Sequence, residues 1–306
     1  MKIQAMILLC LSASICSAAA EEDKRANIVV VVAKELARDD LGCYGGRDPS
    51  PNIDRLANQG VRYETAWSML DDKLSRKTLL TGRYPCHDAE TSLFPSLLEE
   101  AGYRVAADSD ETEKSLSFIE QSQKGAPFLL LHLVGTEEVD VDRLVGKLVT
   151  AIDEKGLKDN TMIVVTSDHG GKDARADLGA HIPFVVRAPF LTKGGRVCKD
   201  LIDLSDLFPT VLSLAGIDVP GDLKLDGRTM IPSLRCSDDP FEKRNWIYSE
   251  VGDFRMVRDW HHLVDTEGNF HDVENDPLQE KKVSPLDKQA PGRRKRLQMI
   301  LDRFSG

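Results

Sequence analysis

The chain has 306 residues, 41% of them hydrophobic and 29% charged, a composition typical of a globular protein large enough to bury a substantial core. Its net charge of -10 argues against nucleic acid as the main partner. The basic run at residues 293–296 is a local exception, and we interpret it as the solvated face of a terminal helix.

The first twenty residues have the pattern of a secretory signal. A short positive start is followed by an apolar stretch at residues 3–16 and by an A-x-A site at residues 18–20. The stretch is too short to span a membrane, and no other apolar stretch of the sequence is long enough. We therefore expect a signal peptide at residues 1–20 and a mature protein that is secreted or periplasmic.

Four cysteines remain after the predicted signal, which are Cys43, Cys86, Cys198 and Cys236. An even number in an exported protein permits disulfides. Their wide spacing matches no metal motif, so unpaired thiols are an equally open interpretation.

Over residues 21–240, continuous apolar runs that are typical of buried strands alternate with segments whose apolar residues recur at helical spacing. In chain order the pattern predicts a strand at 28–32, helices at 53–59 and 93–101, a strand at 128–131, a helix at 139–155, strands at 162–165 and 184–186, and a helix capped by Ser205-Asp206 that ends near Gly216. Such alternation predicts an α/β sandwich with a largely parallel central sheet.

The pattern changes after Pro240 to short alternating runs at residues 246–249, 254–258 and 262–264. Alternation of this kind is typical of an antiparallel sheet with one buried face. We predict a small C-terminal antiparallel subdomain and a terminal helix over residues 241–306, after a main domain at residues 21–240.

Polar residues follow two of the predicted strands directly. Lys34-Glu35 come after the first strand and Asp168-His169 after the strand "MIVVTS". Because ligands of open α/β sheets bind beyond the carboxyl ends of the strands, we expect these four side chains to lie at one edge of the sheet.

The blocks "DLGCYGG", "PNIDRLANQGVRYETAW", "SRKTLLTGRYP", "MIVVTSDHGGK", "IPFVVRAP" and "DLFPTVLSLAGI" stand in this order in the chain. With them the sequence resembles the formylglycine-dependent sulfatases of the alkaline-phosphatase-like superfamily, from Asn27 to about Pro277. The resemblance implies an alkaline-phosphatase-like sandwich and, as the activity, sulfuric ester hydrolysis of the arylsulfatase type. Sites vary independently of folds, so the resemblance of the fold does not by itself establish the activity.

Aligned with that family, the chain departs from its pattern at the positions that carry the chemistry. The resemblance implies a calcium ion held by two carboxylates after the first strand, where this chain has Lys34 and Glu35, and by a pair that here is Asp168-His169. The formylglycine, made in the family from the Cys or Ser of a C-x-P-S-R motif, falls at Asp72, and the proline of that motif falls at Leu74. Arg76 and Lys172 match the arginine and the lysine that the family places around the nucleophile and the sulfate.

The remaining sulfate-binding positions of the family are also altered. Its lysine and histidine correspond to Asp110 and Thr112, and a further histidine falls near Glu138. The long segment that covers the substrate in the family is absent after this point. Much of the cationic pocket is therefore deleted or reversed in charge.

An aspartate at position 72 cannot be matured to an aldehyde, because the maturing enzyme oxidises a thiol or a hydroxyl. Ser75 is interpreted as a supporting serine rather than a substitute nucleophile. We expect the Lys34 ammonium to take the place of the cation among Asp72 and Asp168, so that no cofactor is bound.

If the site still functions, calcium or another divalent metal is expected instead, on Glu35, Asp168 and His169 with Asp72. A displaced pair, Asp39-Asp40, is an alternative set of metal ligands.

Three functions stay open on the sequence. The first is a sulfatase-family protein with lost or severely reduced activity. The second is an active sulfate or phosphate ester hydrolase with a rearranged metal site. The third is a non-catalytic protein that binds a sulfated or other anionic carbohydrate, or a protein partner, through Arg76, Arg83 and Lys172.

Overall fold

The fold is described from a computed structural model of the chain. The structure describes residues 25–87, 92–135, 139–170, 177–238, 243–283 and 290–304. The predicted signal peptide at residues 1–20 lies outside these ranges. Within them, every helix is too short or too polar to cross a bilayer.

Thirteen strands and nine helices occur in the described ranges. The strands are β1 (Asn27–Ala33), β2 (Val61–Tyr63), β3 (Ala66–Trp67), β4 (Arg104–Ser109), β5 (Phe128–Leu133), β6 (Thr161–Ser167), β7 (Phe184–Arg187), β8 (Arg196–Cys198), β9 (Ile202–Asp203), β10 (Ile247–Val251), β11 (Phe254–Arg258), β12 (His262–Asp265) and β13 (Phe270–Asp272). The helices are α1 (Pro51–Gln59), α2 (Asp72–Thr81), α3 (Phe94–Glu100), α4 (Thr112–Glu120), α5 (Val141–Glu154), α6 (Asp177–Ala180), α7 (Leu207–Ala215), α8 (Ile231–Leu234) and α9 (Ala290–Leu301).

Seven strands form the central sheet, in the order β4-β5-β1-β6-β7-β2-β8. The four strands predicted from apolar runs, β1, β5, β6 and β7, are neighbours in it, so that prediction is confirmed. Strand β7 runs antiparallel to both β6 and β2, whereas the other pairings are parallel. The sheet is therefore largely parallel, as the sequence predicts.

Side-chain alternation along β1 divides the core into two layers. Val30 and Val32 face a cluster that includes Phe208 of α7, whereas Val29 and Val31 face a cluster that includes Ile53 of α1. Every residue of β1 is buried, which explains why its sequence is a continuous β-branched run rather than an alternating one. The result is a sandwich with helices on both faces of the sheet.

The C-terminal part forms a separate antiparallel sheet in the order β10-β11-β12-β13. Helix α9 packs on it through Leu297 and Leu301, which share an apolar cluster with Tyr84 and Met69 from the first part of the chain. The short alternating runs of the sequence thus form the predicted antiparallel sheet.

Arg244 connects the two parts of the chain through a fully buried network. Its guanidinium donates to the carboxylate of Asp206 and to the Tyr84 hydroxyl, the latter at 2.8 Å, and it lies 3.4 Å from an oxygen of Asp203. Burial raises the pKa of the Asp203 carboxyl to about 6, so the ionised form depends on this cation.

The predicted helix start at Ser205-Asp206 is right in position, since α7 begins at Leu207 with Asp206 as its N-cap residue, but the side chain of Asp206 makes no cap bond to it. A short 3-10 turn precedes α7, and the cap of this turn is Asp203, whose carboxylate accepts the Ser205 amide at 3.0 Å. Asp206 instead accepts the amide of Asp203 and pairs with Arg244. Its side chain is therefore part of the contact between the two parts of the chain.

Replacement of Arg244 by Met is expected to lower the free energy of unfolding by about 3–5 kcal/mol, because two carboxylates stay buried without their cation. Denaturant unfolding measures the loss. Arg228→Met is the matched control, since Arg228 is exposed, and should change the free energy by less than about 0.5 kcal/mol. Equal losses in the two variants would show that the network is not what the Arg244 substitution disrupts.

Candidate active site

A completely buried carboxylate, Asp168, lies at the end of β6. Its backbone amide donates to the Ala33 carbonyl at 3.0 Å, which continues the parallel ladder between β6 and β1 by one residue. The side chain is 0% exposed, and its Oδ1 accepts the amide of Glu35 at 3.1 Å. The carboxyl ends of β1 and β6 therefore meet at Asp168, as the sequence predicts.

The second oxygen of Asp168 accepts two hydrogen bonds from Arg76. The guanidinium donates through Nε at 3.2 Å and through Nη2 at 2.9 Å, and Nη2 also reaches the Val134 carbonyl at 3.0 Å, just after β5. Arg76 is on α2, a helix capped by Asp71, which accepts the Leu74 amide at 3.0 Å. One guanidinium thus holds α2 against the ends of two strands.

Glu35 has a left-handed backbone, with φ of 54°. This conformation is uncommon outside glycine and costs roughly 1 kcal/mol or more. In this conformation the Glu35 amide donates a hydrogen bond to Asp168. The Glu35 carboxylate lies 3.4 Å from His169 Nε2. The backbone strain is therefore located beside the buried carboxylate.

Asp72 is the first residue of α2 and is half-buried. Its Oδ1 accepts the Lys73 amide at 2.7 Å. It precedes Arg76 by four residues, and residues at this spacing lie on the same face of a helix. Asp72 is therefore one helical turn away from the residue that binds Asp168. Ser75 is fully buried and its hydroxyl donates to the Met69 carbonyl at 3.2 Å, which fits a supporting role.

Lys34 differs from the expectation drawn from the sequence. The cation beside Asp168 is the guanidinium of Arg76, and both oxygens of Asp168 are occupied by Arg76 and the Glu35 amide. Lys34 is half-buried and instead lines a cavity on the side of α1 and α5. Within the described ranges its ammonium has neither a hydrogen-bond partner nor an ion-pair partner.

Other predicted positions are placed as follows. Lys172 and Glu138 lie outside the described residues. Asp110 is exposed and precedes α4, which begins at Thr112, so neither of these two positions supplies a cation. Asp40 closes its own short turn by accepting the Ala37 amide at 2.8 Å.

A sequence profile described as Sulfatase matches residues 26–136 and 138–217, more than half of the chain. The chain belongs to the sulfatase family.

Several curated sulfatases are similar to parts of this family member. Arylsulfatase D of Homo sapiens is 29% identical over 167 residues, which are 47% of this chain and 27% of the relative. Steryl-sulfatase of Mus musculus is 31% identical over 149 residues, which are 42% of this chain and 24% of the relative. The Ulvan-active sulfatase of Formosa agariphila is 36% identical over 115 residues, 34% of this chain and 22% of the relative. The matches thus span about a quarter of the length of these relatives.

Two solved structures share the fold of this chain. BT4656, solved in complex with its substrate D-glucosamine-2-N,6-O-disulfate, superposes with a TM-score of 0.78 at 17% identity, over 91% of this chain and 97% of the other. The PsFucS1 sulfatase from Pseudoalteromonas sp. superposes with a TM-score of 0.75 at 19% identity, over 94% of this chain and 92% of the other.

Sulfatases generally use a divalent metal, but the side chains described at this strand edge do not fit one. Lys34 is a cation where the alignment with the family leads us to expect a carboxylate ligand, and each oxygen of Asp168 already accepts a protein hydrogen bond. Across the described ranges, no group of three or more histidine, cysteine or carboxylate side chains is arranged to hold a metal ion.

Sequence reasoning matched Arg76 to the family's arginine but missed its role as the partner of Asp168. It also missed the Glu35 amide and the Val134 carbonyl, because backbone groups carry no sequence signal. A further unpredicted residue is His132 on β5, fully buried, with Nδ1 2.8 Å from the Ser115 hydroxyl; burial lowers the pKa of this imidazole. Its Nε2 makes no hydrogen bond in the described part of the chain.

Arg76→Met is expected to destabilise the protein by about 3 kcal/mol, since it leaves the buried Asp168 carboxylate without a cation. The double variant Arg76→Met, Asp168→Asn should recover most of the loss, because the amide oxygen can still accept the Glu35 amide. Chemical unfolding of the single and double variants measures the coupling.

Arg62→Met serves as the control for this pair, because the Arg62–Glu64 pair of 2.8 Å is partly exposed on both sides. It should cost less than about 1 kcal/mol. Additive losses from Arg76→Met and Asp168→Asn would contradict the proposed pairing.

Proposed function

We propose that this sulfatase-family protein has lost sulfuric ester hydrolysis and has kept the fold without the metal. The observation that carries the proposal is the carboxylate of Asp72 in the first turn of α2, the residue that our alignment with the family matches to the formylglycine. The Arg76 guanidinium, which is bound to Asp168, supports the proposal that the metal has been lost.

The loss of activity follows from the chemistry of residue 72. A hydrated aldehyde supplies a strong oxygen nucleophile and later collapses to release sulfate, whereas a carboxylate has no such path. Asp72 as a direct nucleophile on a sulfate or phosphate ester needs an electropositive pocket. One position that supplies a cation in the family is the exposed Asp110, which opposes an anionic substrate.

The charges at the strand edge support a site without a divalent ion. The positive charge that compensates the buried Asp168 is the guanidinium of Arg76. A metal ion bound at Asp168 has to displace this guanidinium, which makes two bonds to one oxygen. We infer that Arg76 takes over the role of the cation as the counter-charge of Asp168.

The active hydrolase with a rearranged site requires Asp168 to exchange Arg76 for a metal, which the present contacts disfavour. The non-catalytic interpretation needs only an anion contact. We propose a sulfated or other anionic carbohydrate as the partner, since the similar BT4656 was solved with a disulfated glucosamine as its substrate. Arg76, Arg83 and Lys172 are the proposed contacts, and residues 1–20 are the proposed signal for export.

Purified wild-type protein is expected to show no turnover of a simple aryl sulfate above the blank, with calcium or with chelator. Release of the phenol measures the rate. An active sulfatase matured in the same host is the positive control. Turnover that depends on calcium and follows the protein through purification would overturn the proposal.

A variant that rebuilds the C-x-P-S-R motif of the family separates the effect of the altered nucleophile from the effect of the altered metal ligands. Asp72→Cys with Leu74→Pro restores the precursor of the aldehyde. The proline fits the backbone of the first turn of α2 but removes the amide that donates to the Asp71 cap, so the melting temperature of the variant is measured as a control for folding. Produced with the maturing enzyme, it should still be inactive, because the metal ligands remain altered. If it hydrolyses the aryl sulfate, the nucleophile is the only lesion and the inference about Arg76 is wrong.

A further inference from the structure

A cavity of about 540 Å³ lies between the C-terminal half of α7 and helix α8. One part of its wall is apolar and comes from half-buried side chains, and the other part carries hydroxyl groups and one arginine. The apolar residues are Leu214, Ile231 and Pro232, and the polar residues are Ser213, Thr229, Arg235 and Ser237. The volume is within the usual range for sites that bind small organic molecules.

The cavity is separate from the strand edge that carries Asp168. Helix α8 is attached to the start of β8, where the Arg196 guanidinium donates to the carbonyls of Ser233 and Leu234, the latter at 3.0 Å. Through β2 and β7, Arg196 is in register with Val164, which precedes Asp168 by four residues. The contacts of Asp168 itself come from β1 and α2.

A closed turn after α8 places Arg235 and Ser237 on the cavity. Cys236, between them, has a left-handed backbone with φ of 60°. Its amide donates to the Ser233 carbonyl at 3.2 Å, and the Ser237 amide donates to the Pro232 carbonyl at 2.8 Å, which are the two bonds of a Schellman motif. Glycine usually occupies the left-handed position of this motif, so the cysteine is strained there. The backbone that carries the polar wall is therefore held by its own hydrogen bonds.

The charge of the lining is positive. Among the described residues that line the cavity, Arg235 alone is ionisable, and no described residue pairs with its guanidinium. The exposed acids Asp218 and Asp238, beyond the ends of α7 and α8, lie outside the lining. The Thr229 hydroxyl oxygen accepts the Ile231 amide at 3.3 Å, which leaves its proton for a ligand. These donors, in a wall without carboxylates, favour an anionic acceptor.

We propose that this cavity binds a small organic carboxylate, with its head group on Arg235 and its apolar body between Leu214 and Ile231. The Thr229 hydroxyl donates a further hydrogen bond to the head group. A carboxylate suits the planar fork of a guanidinium, which can donate two parallel hydrogen bonds to it. The site uses no residue of the strand edge and needs no ester chemistry, so it does not rest on the proposed function.

Naphthoate is the probe, because it carries a carboxylate on a bicyclic apolar body and contains no ester. We expect it to shift the methyl NMR signals of Leu214 and Ile231 saturably in the full chain. Neutral naphthamide and cationic naphthylmethylamine should both bind more weakly. No saturable shift with naphthoate in the millimolar range would overturn the proposal, and so would tighter binding of the cationic amine.

Arg235→Met is expected to weaken the binding of naphthoate about tenfold, the effect of losing one charge-assisted contact. Arg235→Lys keeps the charge but loses the fork, and its affinity should lie between those of Arg235→Met and the wild type. Arg55→Met, at an exposed arginine on α1, is the matched control and should leave the affinity unchanged. An affinity that Arg235→Met does not change would contradict the assignment of the head group.

Ser213→Phe tests the location by filling the cavity from α7. Ser213 is exposed and its hydroxyl donates within the helix, to the Pro209 carbonyl at 2.7 Å, so the melting temperature should be retained. The variant should abolish the naphthoate shifts of Ile231, and the melting temperature separates a blocked site from an unfolded protein. Binding of wild-type affinity in the folded variant would show that the carboxylate binds elsewhere.

Discussion

Asp168 is a carboxylate without solvent access, and the need to compensate its charge determines how this site is built. Water cannot stabilise the ion, so the protein must supply a cation and hydrogen-bond donors. Arg76 supplies the cation and the Glu35 amide the remaining bond. To do so, α2 must lie against the strand ends and Glu35 must adopt a left-handed backbone. The local geometry follows from one buried charge.

The fold itself does not depend on the chemistry of the site. Strand β1 is buried on both faces, between two apolar clusters that lie below the strand-end residues. Arg244 and its buried carboxylates join the C-terminal sheet at a separate place. A sulfatase-family chain can therefore change its nucleophile and its metal ligands and still keep the sheet, because the stabilising interactions lie elsewhere.

The sequence predicted the sheet well because β1, β5, β6 and β7 are nearly continuous apolar runs. The reversed direction of β7 carried no signal, since periodicity does not report strand direction, and the three-residue strands β2 and β8 were too short to detect. Within the site, the sequence placed Glu35 and Asp168 at one edge but assigned the wrong cation. The side chain of Lys34 leaves the strand end towards α1, and no pattern predicts that direction, whereas the long Arg76 reaches Asp168 from the second turn of α2.

The central inference is that the Arg76 guanidinium serves where a metal ion serves in other sulfatases. Thermal melting of the wild-type protein, in calcium and in chelator at constant ionic strength, tests it most directly. A native-state site held at a hundred times its Kd adds about 2.7 kcal/mol, which raises the melting temperature by several degrees. The account predicts the same melting temperature in both solutions. A rise in calcium that the chelator reverses would contradict it.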